Sequence, residues 1–173
     1  MSKMPKVALA ITLASLTLGL LISGCADGSQ VSTARVGMPA PDFELRNLDG
    51  ESISLSGFKG KPVLLNFWNT GCPPCRAEMP YLQQVYNEIQ EDNLVMLTVN
   101  IGERSATVER FLQDNDLSLP VLLDTKGAVA QLYIKRGIPT TVLIDKDGII
   151  QEIRIGAFPS KESIENRLSK IMP

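Results

Sequence analysis

Two runs of almost uninterrupted apolar residues lie in the middle of the chain. They cover residues 61–68 and 93–100, and each has the length of a single strand. Strands that are apolar on both faces are typical of the buried centre of a parallel sheet. Shorter apolar stretches at residues 120–123, 140–145 and 149–155 predict three further strands.

Two Asp-Gly turns predict antiparallel hairpins. Asp49-Gly50 separates short strands expected at residues 42–45 and 52–55, and Asp147-Gly148 separates the last two predicted strands. The intervals between strands carry helical patterns, and Ser105 or Thr107 is expected to cap the second helix. The predicted helices are residues 73–90, 105–115, 128–133 and 160–171.

Strands that alternate with helices predict an α/β fold. We expect a central mixed sheet, rich in parallel pairs, with helices on both faces and an antiparallel hairpin at its end.

The first residues follow a different pattern. Lys3 and Lys6 precede an uncharged apolar run over residues 7–22, which is short for a membrane span but suits a secretory signal. The run ends in LISGC at residues 21–25, which resembles the bacterial lipobox, where small residues precede a cysteine that becomes lipidated.

This resemblance implies three parts of the chain. They are a signal peptide over residues 1–24, a lipidated Cys25 with a polar tether over residues 25–36, and a folded domain over residues 37–173. An uncleaved anchor helix, or a standard signal peptide with an incidental cysteine, are the alternatives.

Composition narrows the chemistry of the two remaining cysteines, Cys72 and Cys75. The formal net charge is −2 with no block of like charges, which argues against nucleic-acid binding. Histidine is absent, which removes the commonest transition-metal ligand, and a zinc site needs about four ligands. We therefore expect no metal. A disulfide across so short a loop would stabilise the fold little, so the favoured interpretation is that Cys72 and Cys75 take part in redox exchange.

Cys72 is expected where a strand passes into a helix. Unpaired N–H groups and the positive end of the helix dipole stabilise a thiolate there. A fall in thiol pKa from about 8.5 toward 7 corresponds to roughly 2 kcal/mol. Cys72 is thus the predicted nucleophile and Cys75 the resolving thiol. Pro73 and Pro74 suit the first helical turn and remove two amide donors from the neighbourhood of the sulfur.

The stretch NFWNTGCPPCRAEMP, residues 66–80, resembles the active-site strand and helix of thioredoxin-like proteins. It also resembles the membrane-anchored, extracytoplasmic reductases of the ResA and TlpA type. VGMPAPDF at residues 36–43 resembles the entry segment of that family, and GIPTT at residues 137–141 resembles its cis-proline loop. The resemblance, over residues 37–171, implies a thioredoxin fold with an N-terminal β-hairpin and a helix–strand insertion at residues 105–123.

The same resemblance implies which residues meet a client protein. Pro139 takes the position of the cis-proline beside the cysteines, and Ile138 is implied to pair its backbone with a client peptide. Trp68, Pro73 and Pro74 are assigned to the client-binding surface, although Trp68, as a strand residue, also suits the core.

The position of one acidic residue near the cysteines differs from the thioredoxin pattern. Asn66 stands where thioredoxin has a buried aspartate that helps to deprotonate the resolving cysteine, and an amide cannot take a proton. Glu78, one turn after Cys75, matches a glutamate near the active site of the ResA type. We assign Glu78 as the proton acceptor for Cys75, with a solvated helical glutamate as the alternative.

The resemblance implies a thiol–disulfide oxidoreductase on the outer side of the bacterial cytoplasmic membrane. Its partners would be disulfide-containing extracytoplasmic proteins, apocytochrome c among them, and a membrane thiol donor that re-reduces it. The resemblance implies no cofactor, and it implies that the lipid on Cys25 attaches the protein to the membrane. Two alternatives are a peroxiredoxin-type peroxidase, which wants threonine where Asn69 stands, and a redox-inert, lipid-anchored binding module.

Overall fold

The computed structural model of the protein describes residues 33–89 and 93–172. The expected signal peptide over residues 1–24 and the expected lipidation site Cys25 lie outside these ranges. None of the described helices combines enough length with enough hydropathy for a membrane span. The described strands and α-helices are, in chain order, β1 (Glu44–Asn47), β2 (Ser52–Ser54), β3 (Val63–Trp68), α1 (Pro73–Glu88), β4 (Val95–Ile101), α2 (Ser105–Asp114), β5 (Val121–Asp124), α3 (Ala128–Tyr133), β6 (Thr140–Ile144), β7 (Ile150–Ile155) and α4 (Lys161–Leu168), and a 3-10 helix, Leu55–Phe58, follows β2.

The described strands form one mixed sheet in the order β2-β1-β5-β4-β3-β6-β7. The pairs β3–β4 and β4–β5 are parallel, whereas β3–β6 and the outer pairs are antiparallel. Because β3 is central and covered on both sides, all of its residues are buried. The predicted α/β fold is confirmed, together with its N-terminal hairpin β1–β2.

The side chains of β3 alternate between two apolar layers. Leu64 and Trp68 belong to the layer that β3 shares with α1, α2 and α4. Leu65 and Phe67 belong to the opposite layer, which includes α3 and residues of the N-terminal hairpin. Asn66 lies between Leu64 and Trp68 in this alternation, so it faces α1.

The predicted helix–strand insertion consists of α2 and β5. Val108 and Leu112 pack into the layer of α1, and β5 pairs in parallel with β4 and antiparallel with β1. Our expectation that Ser105 or Thr107 caps α2 is wrong. The N-cap residue is Arg104, whose side chain makes no capping hydrogen bond while its carbonyl accepts from the N–H of Thr107. Ser105 is already helical, so its backbone does not have the extended conformation that an N-cap residue requires.

The antiparallel pairing of β6 with β3 positions the residues that precede β6. Phe67 pairs with Thr140, and Asn66 pairs with Thr141. Pro139 therefore follows directly beyond the last pair, at the edge of the sheet where β3 ends and the chain turns into α1.

The folded domain begins earlier in the chain than expected. Ala34 is fully buried, and its N–H donates to the carbonyl of Leu132 in α3 at 2.8 Å. The described residues belong to one unit, Val31–Pro173. The expected tether over residues 25–36 is therefore wrong for its last residues, because a small buried side chain and a backbone hydrogen bond fix Ala34 against the domain.

Candidate active site

Cys72 is the N-cap residue of α1. Its backbone is extended, with φ −93° and ψ 105°, and its Sγ accepts a hydrogen bond from the N–H of Cys75 at 3.2 Å. The sulfur thus takes the place of the side-chain oxygen in an ordinary N-cap, beside the unpaired amides of the first turn. A thiolate is stabilised in this position by those amides and by the helix dipole.

Pro73 and Pro74 occupy the first two positions of α1, and both are exposed. Neither has an N–H group, so Cys75 supplies the first amide of the helix that can reach the Cys72 sulfur. The two exposed rings also present an apolar surface next to Cys72.

Cys72 and Cys75 form a disulfide, with their Cα atoms 5.3 Å apart. Cys75 is fully buried, whereas Cys72 is 9% exposed. A partner that approaches from solvent therefore meets the sulfur of Cys72 first, and Cys75 can react only with a group that is already joined to the protein.

The loop before β6 lies against this disulfide. The Ile138–Pro139 peptide bond is cis, Pro139 is buried and Ile138 is half-buried. The carbonyl oxygen of Ile138 lies 3.8 Å from Cys72 Sγ. The N–H of Gly156 donates to the carbonyl of Pro139 at 2.8 Å and so holds the loop from its other side. The fold thus brings together two predicted site residues that are 66 positions apart in the chain.

Glu78 is fully buried, one helical turn after Cys75. Its Oε1 accepts from Nδ2 of Asn66 at 2.9 Å, and its Oε2 accepts from the N–H of Phe158 at 2.8 Å. Burial raises the pKa of Glu78 above its ordinary value of 4.5, although both hydrogen bonds and the charge of Arg154 act in the opposite direction. The alternative of a solvated helical glutamate is wrong. A buried carboxyl of this kind keeps its proton to a higher pH than an exposed one.

Asn66 connects Glu78 to β6. Its Nδ2 donates both to Glu78 and to Oγ1 of Thr141, the latter at 3.0 Å. Asn66 and Thr141 are buried and face one another in the β3–β6 register, so the pairing of the two strands fixes this donor. An aspartate here would place two acids in contact, whereas the amide binds the carboxyl of Glu78 as a neutral donor.

Arg154 lies next to Thr141 on the neighbouring strand, because the two residues pair in the register of β6 and β7. Its Nη2 donates to the carbonyl of Ala157 at 2.9 Å, and its guanidinium carbon lies 4.8 Å from the centre of the Phe158 ring. These contacts hold the segment whose N–H, at Phe158, binds Glu78. Arg154 therefore affects Glu78 both by its charge and through this segment.

Glu103 fixes the loop that leads into Cys72. Its carboxylate accepts from the N–H of Thr70 at 2.9 Å, from the hydroxyl of Thr70, and from Nδ2 of Asn100 at 2.7 Å. Asn100 is buried in β4, and Thr70 lies just before Cys72. Hydrogen bonds to an ionised carboxylate are among the stronger ones, so this contact ties the Cys72 loop firmly to β4.

Trp68 does not lie where a client could touch it. The side chain is fully buried, and its ring centre lies 5.3 Å from that of Phe111 in α2. Its assignment to the client-binding surface is therefore wrong. The alternation of β3 turns Trp68 into the apolar layer beneath α1 and α2, where it supports the site from below.

Thr141, Arg154 and Glu103 are among the residues of this arrangement that were not predicted from the sequence. A signal for Glu103 was present, because it follows a buried strand that we expected to lie parallel to the strand before Cys72. Segments that follow parallel strands meet at the same edge of a sheet. Thr141 and Arg154 depend on strand register, which the hydrophobic pattern does not specify.

The arrangement supports one kind of chemistry. A disulfide with one accessible sulfur, a helix start that stabilises a thiolate and a buried carboxyl one turn away together permit thiol–disulfide exchange. Within the part of the chain that the structure describes, no group of three or more Cys, Asp or Glu side chains is placed to hold a metal ion.

Comparison with known proteins agrees with this chemistry. The AhpC/TSA family matches residues 36–153. The chain is 39% identical over 145 residues to the thiol-disulfide oxidoreductase ResA of Geobacillus kaustophilus, covering 84% of this chain and 83% of that protein. Identity to ResA of Halalkalibacterium halodurans is also 39%, over 142 residues, covering 82% of this chain and 80% of that protein.

Solved structures show the same fold. StoA of Bacillus subtilis superposes with a TM-score of 0.64 at 33% identity, covering 75% of this chain and 97% of that one. A thiol:disulfide interchange protein of the thioredoxin family from Chlorobium tepidum superposes with a TM-score of 0.69 at 27% identity, covering 81% of this chain and 99% of that one. With the geometry of Cys72 and Cys75, these matches show that the chain belongs to the AhpC/TSA family, as a thiol–disulfide oxidoreductase with the thioredoxin fold.

Proposed function

We propose that the protein reduces disulfides of client proteins through a dithiol–disulfide cycle of Cys72 and Cys75. The observation that carries this proposal is the disulfide at the start of α1, in which Cys72 is the accessible sulfur and lies beside the carbonyl of Ile138. The active form for this reaction is the dithiol, and the disulfide is its product.

The cycle has two exchange steps. The Cys72 thiolate attacks one sulfur of the client disulfide, a Cys72–client bond forms, and the other client sulfur leaves as a thiolate that takes up a proton. The Cys75 thiolate then attacks Cys72, the Cys72–Cys75 bond forms, and the second client sulfur leaves. Two electrons pass from the protein to the client.

Glu78 is the proposed proton acceptor for Cys75. Both residues are buried on α1 one turn apart, so the thiol of Cys75 has little access to water as a base. The raised pKa of Glu78 suits this role, because its carboxylate binds a proton more readily than an exposed glutamate does. Asn66 cannot accept the proton, and it holds the carboxyl group in place.

The client chain is proposed to lie along Ile138 and Pro139. Ile138 is half-buried beside Cys72, and Pro73 and Pro74, which directly follow Cys72 in the chain, are exposed. A client peptide joined to Cys72 would contact these apolar surfaces.

The protein is proposed to act on the outer side of the bacterial cytoplasmic membrane. The support comes from the sequence, where basic residues, an apolar run and LISGC at residues 21–25 precede the folded domain. Cleavage before Cys25 and its lipidation would leave a membrane-bound domain, for which two acyl signals give stable anchoring. Extracytoplasmic proteins with disulfides, apocytochrome c among them, would be its clients, and a membrane thiol protein would be its electron donor.

The cysteines have different expected phenotypes. Cys72→Ser abolishes the reduction of insulin, because the attacking sulfur is gone. Cys75→Ser still attacks but cannot resolve, so a mixed disulfide with the client accumulates and is released by dithiothreitol. Insulin turbidity and the mass of the trapped species measure the two effects.

Cys25→Ser is the matched control for these variants, since it also replaces a cysteine by serine, and it should leave insulin reduction by the purified protein unchanged. Full function of Cys72→Ser would indicate a redox-inert binding module. Peroxide turnover by the wild-type protein with dithiothreitol as the reductant, and without any added thiol protein, would indicate a peroxidase.

The direction of electron flow has its own test. We expect the Cys72–Cys75 couple to equilibrate with a glutathione or dithiothreitol buffer at a potential near that of thioredoxin, about −270 mV, because the protein acts as a reductant. Mass spectrometry after alkylation measures the reduced fraction. A potential near about −120 mV would mean that the protein oxidises its clients instead.

Glu78→Gln should change the pH dependence of the resolving step. Protonated Glu78 cannot accept a proton, so in the wild-type protein the release of a preformed mixed disulfide slows as the pH falls through the raised pKa of Glu78. Glu78→Gln should slow release on the order of 10²-fold and lose this inflection. Single-turnover release followed across pH gives both quantities.

Glu109→Gln, at an exposed position of α2, is the control and should retain the wild-type profile.

Stability provides a second readout. Because burial raises the pKa of Glu78, this group binds its proton more tightly in the folded protein than in the unfolded chain, so its contribution to stability is fully present below pH 4.5 and is lost as the pH rises through the raised pKa. Urea unfolding of Glu78→Gln should show less of this fall. A glutamine variant with both the rate inflection and the stability slope unchanged would remove Glu78 from the mechanism.

The lipid anchor is tested in bacterial cells that express the full chain. Cys25→Ser should abolish incorporation of labelled palmitate and prevent signal processing at Cys25, because the acceptor sulfur is absent. Fractionation and metabolic labelling measure these effects. A wild-type protein that is cleaved but carries no label would instead be exported through a standard signal peptide.

A further inference from the structure

A groove of about 510 Å³ lies between the start of α1 and the outer face of α2. We call it the arginine groove. The residues that matter for its chemistry are Thr70, Arg76, Thr107, Arg110, Phe111 and Asp114.

The arginine groove adjoins the reactive disulfide. Arg76 directly follows Cys75, and its N–H donates to the carbonyl of Cys72 at 3.1 Å. Thr70 belongs to the loop that leads into Cys72 and is held there by Glu103. A polypeptide that is joined to Cys72 by a mixed disulfide therefore has its neighbouring residues within reach of this groove.

The groove carries an excess of positive charge. Arg76 and Arg110 are exposed, and neither guanidinium forms an ion pair or hydrogen bond with another residue in the part of the chain that the structure describes. Asp114 is the acidic residue among those that line the groove. The carboxylate of Glu103 nearby is already occupied by Thr70 and Asn100. Two free cations thus face one carboxylate, on a chain whose formal net charge is −2.

The floor of the groove is apolar and rigidly supported. Phe111 is half-buried, and its ring packs on that of the buried Trp68 with centres 5.3 Å apart. Thr107 adds a hydroxyl group to the lining, and Thr70, whose hydroxyl donates to Glu103, completes it on the side of Cys72. An apolar floor with cationic walls suits an extended peptide that carries acidic side chains next to apolar ones.

We infer that the arginine groove docks the segment of a client protein that flanks its disulfide, and that it favours segments with Asp or Glu. This inference rests on the proposed reductase function and adds a substrate class to it. The selectivity resides in α2, the inserted helix, and in the residue that directly follows Cys75.

The test uses three peptides with the same intramolecular disulfide and with neutral, acidic or basic flanking residues. The full protein, reduced beforehand, should show a kcat/KM for the acidic peptide about 3- to 10-fold above that for the neutral one at low ionic strength, as expected for two partly exposed charge contacts. The basic peptide should react more slowly than the neutral one. Added salt should reduce these differences, because exposed charges are screened.

Arg76→Gln/Arg110→Gln should abolish the preference, and Asp114→Asn should increase it. Any effect of Arg76 on the intrinsic reactivity of Cys72 cancels in the ratio of acidic to neutral peptide. Lys59→Gln/Lys61→Gln is the matched control, since it removes the same charge before β3, at the end of that strand remote from Cys72, and should keep the preference.

The outcomes separate this inference from the proposed function. Equal rates for the three peptides, or a preference that persists in Arg76→Gln/Arg110→Gln, would overturn the inference while the reductase function stands. Failure of the wild-type protein to reduce any of the peptides would contradict the function itself. A normal rate on the neutral peptide shows that each variant is folded.

Discussion

The antiparallel pairing of β6 with β3 is the constraint on which the site depends. It places the Ile138–Pro139 loop at the end of β3, where α1 begins, and so sets the carbonyl of Ile138 beside Cys72. The same register sets Thr141 opposite Asn66, and the next pairing sets Arg154 opposite Thr141. The surroundings of the sulfur and of the buried acid therefore come from one register, and a shift of one residue would move both sets of side chains to the other face.

The placement of the buried acid on the helix changes how the site is connected. An acid at position 66 would belong to the sheet, whereas Glu78 belongs to α1 and binds both the sheet, through Asn66, and the N–H of Phe158. Whether this carboxyl carries a proton therefore affects the contacts between α1, β3 and the segment that contains Phe158. A buried carboxylate needs such donors because its charge is poorly solvated, and their partial compensation fits a pKa that is raised by burial and restrained by its partners.

Much of this arrangement could be predicted because its signals are local. The apolar run before Cys72, the prolines after it and the GIPTT segment each indicate an element or motif without knowledge of the rest of the fold. Two of the errors arose where tertiary packing decides. Trp68 was assigned to the client-binding surface because it lies close to Cys72 in the sequence, although as a strand residue it also suited the core, and the direction of its side chain in β3 decides between the two. Ala34 was assigned to a tether because its neighbours in the sequence are polar. In the structure one backbone hydrogen bond to Leu132 and a buried methyl group hold it against the domain.

The insertion of α2 and β5 has consequences for reactivity as well as for shape. The segment between β4 and α2 supplies Glu103, which fixes the loop before Cys72, and α2 supplies Phe111, which packs on Trp68 at the end of β3. A client that occupies the face of α2 would therefore press on elements that also position the sulfur. Packed interiors transmit such displacements because they contain little free volume. Recognition beside Cys72 and the placement of Cys72 thus depend on the same contacts, and a substitution in α2 that alters one should be examined for its effect on the other.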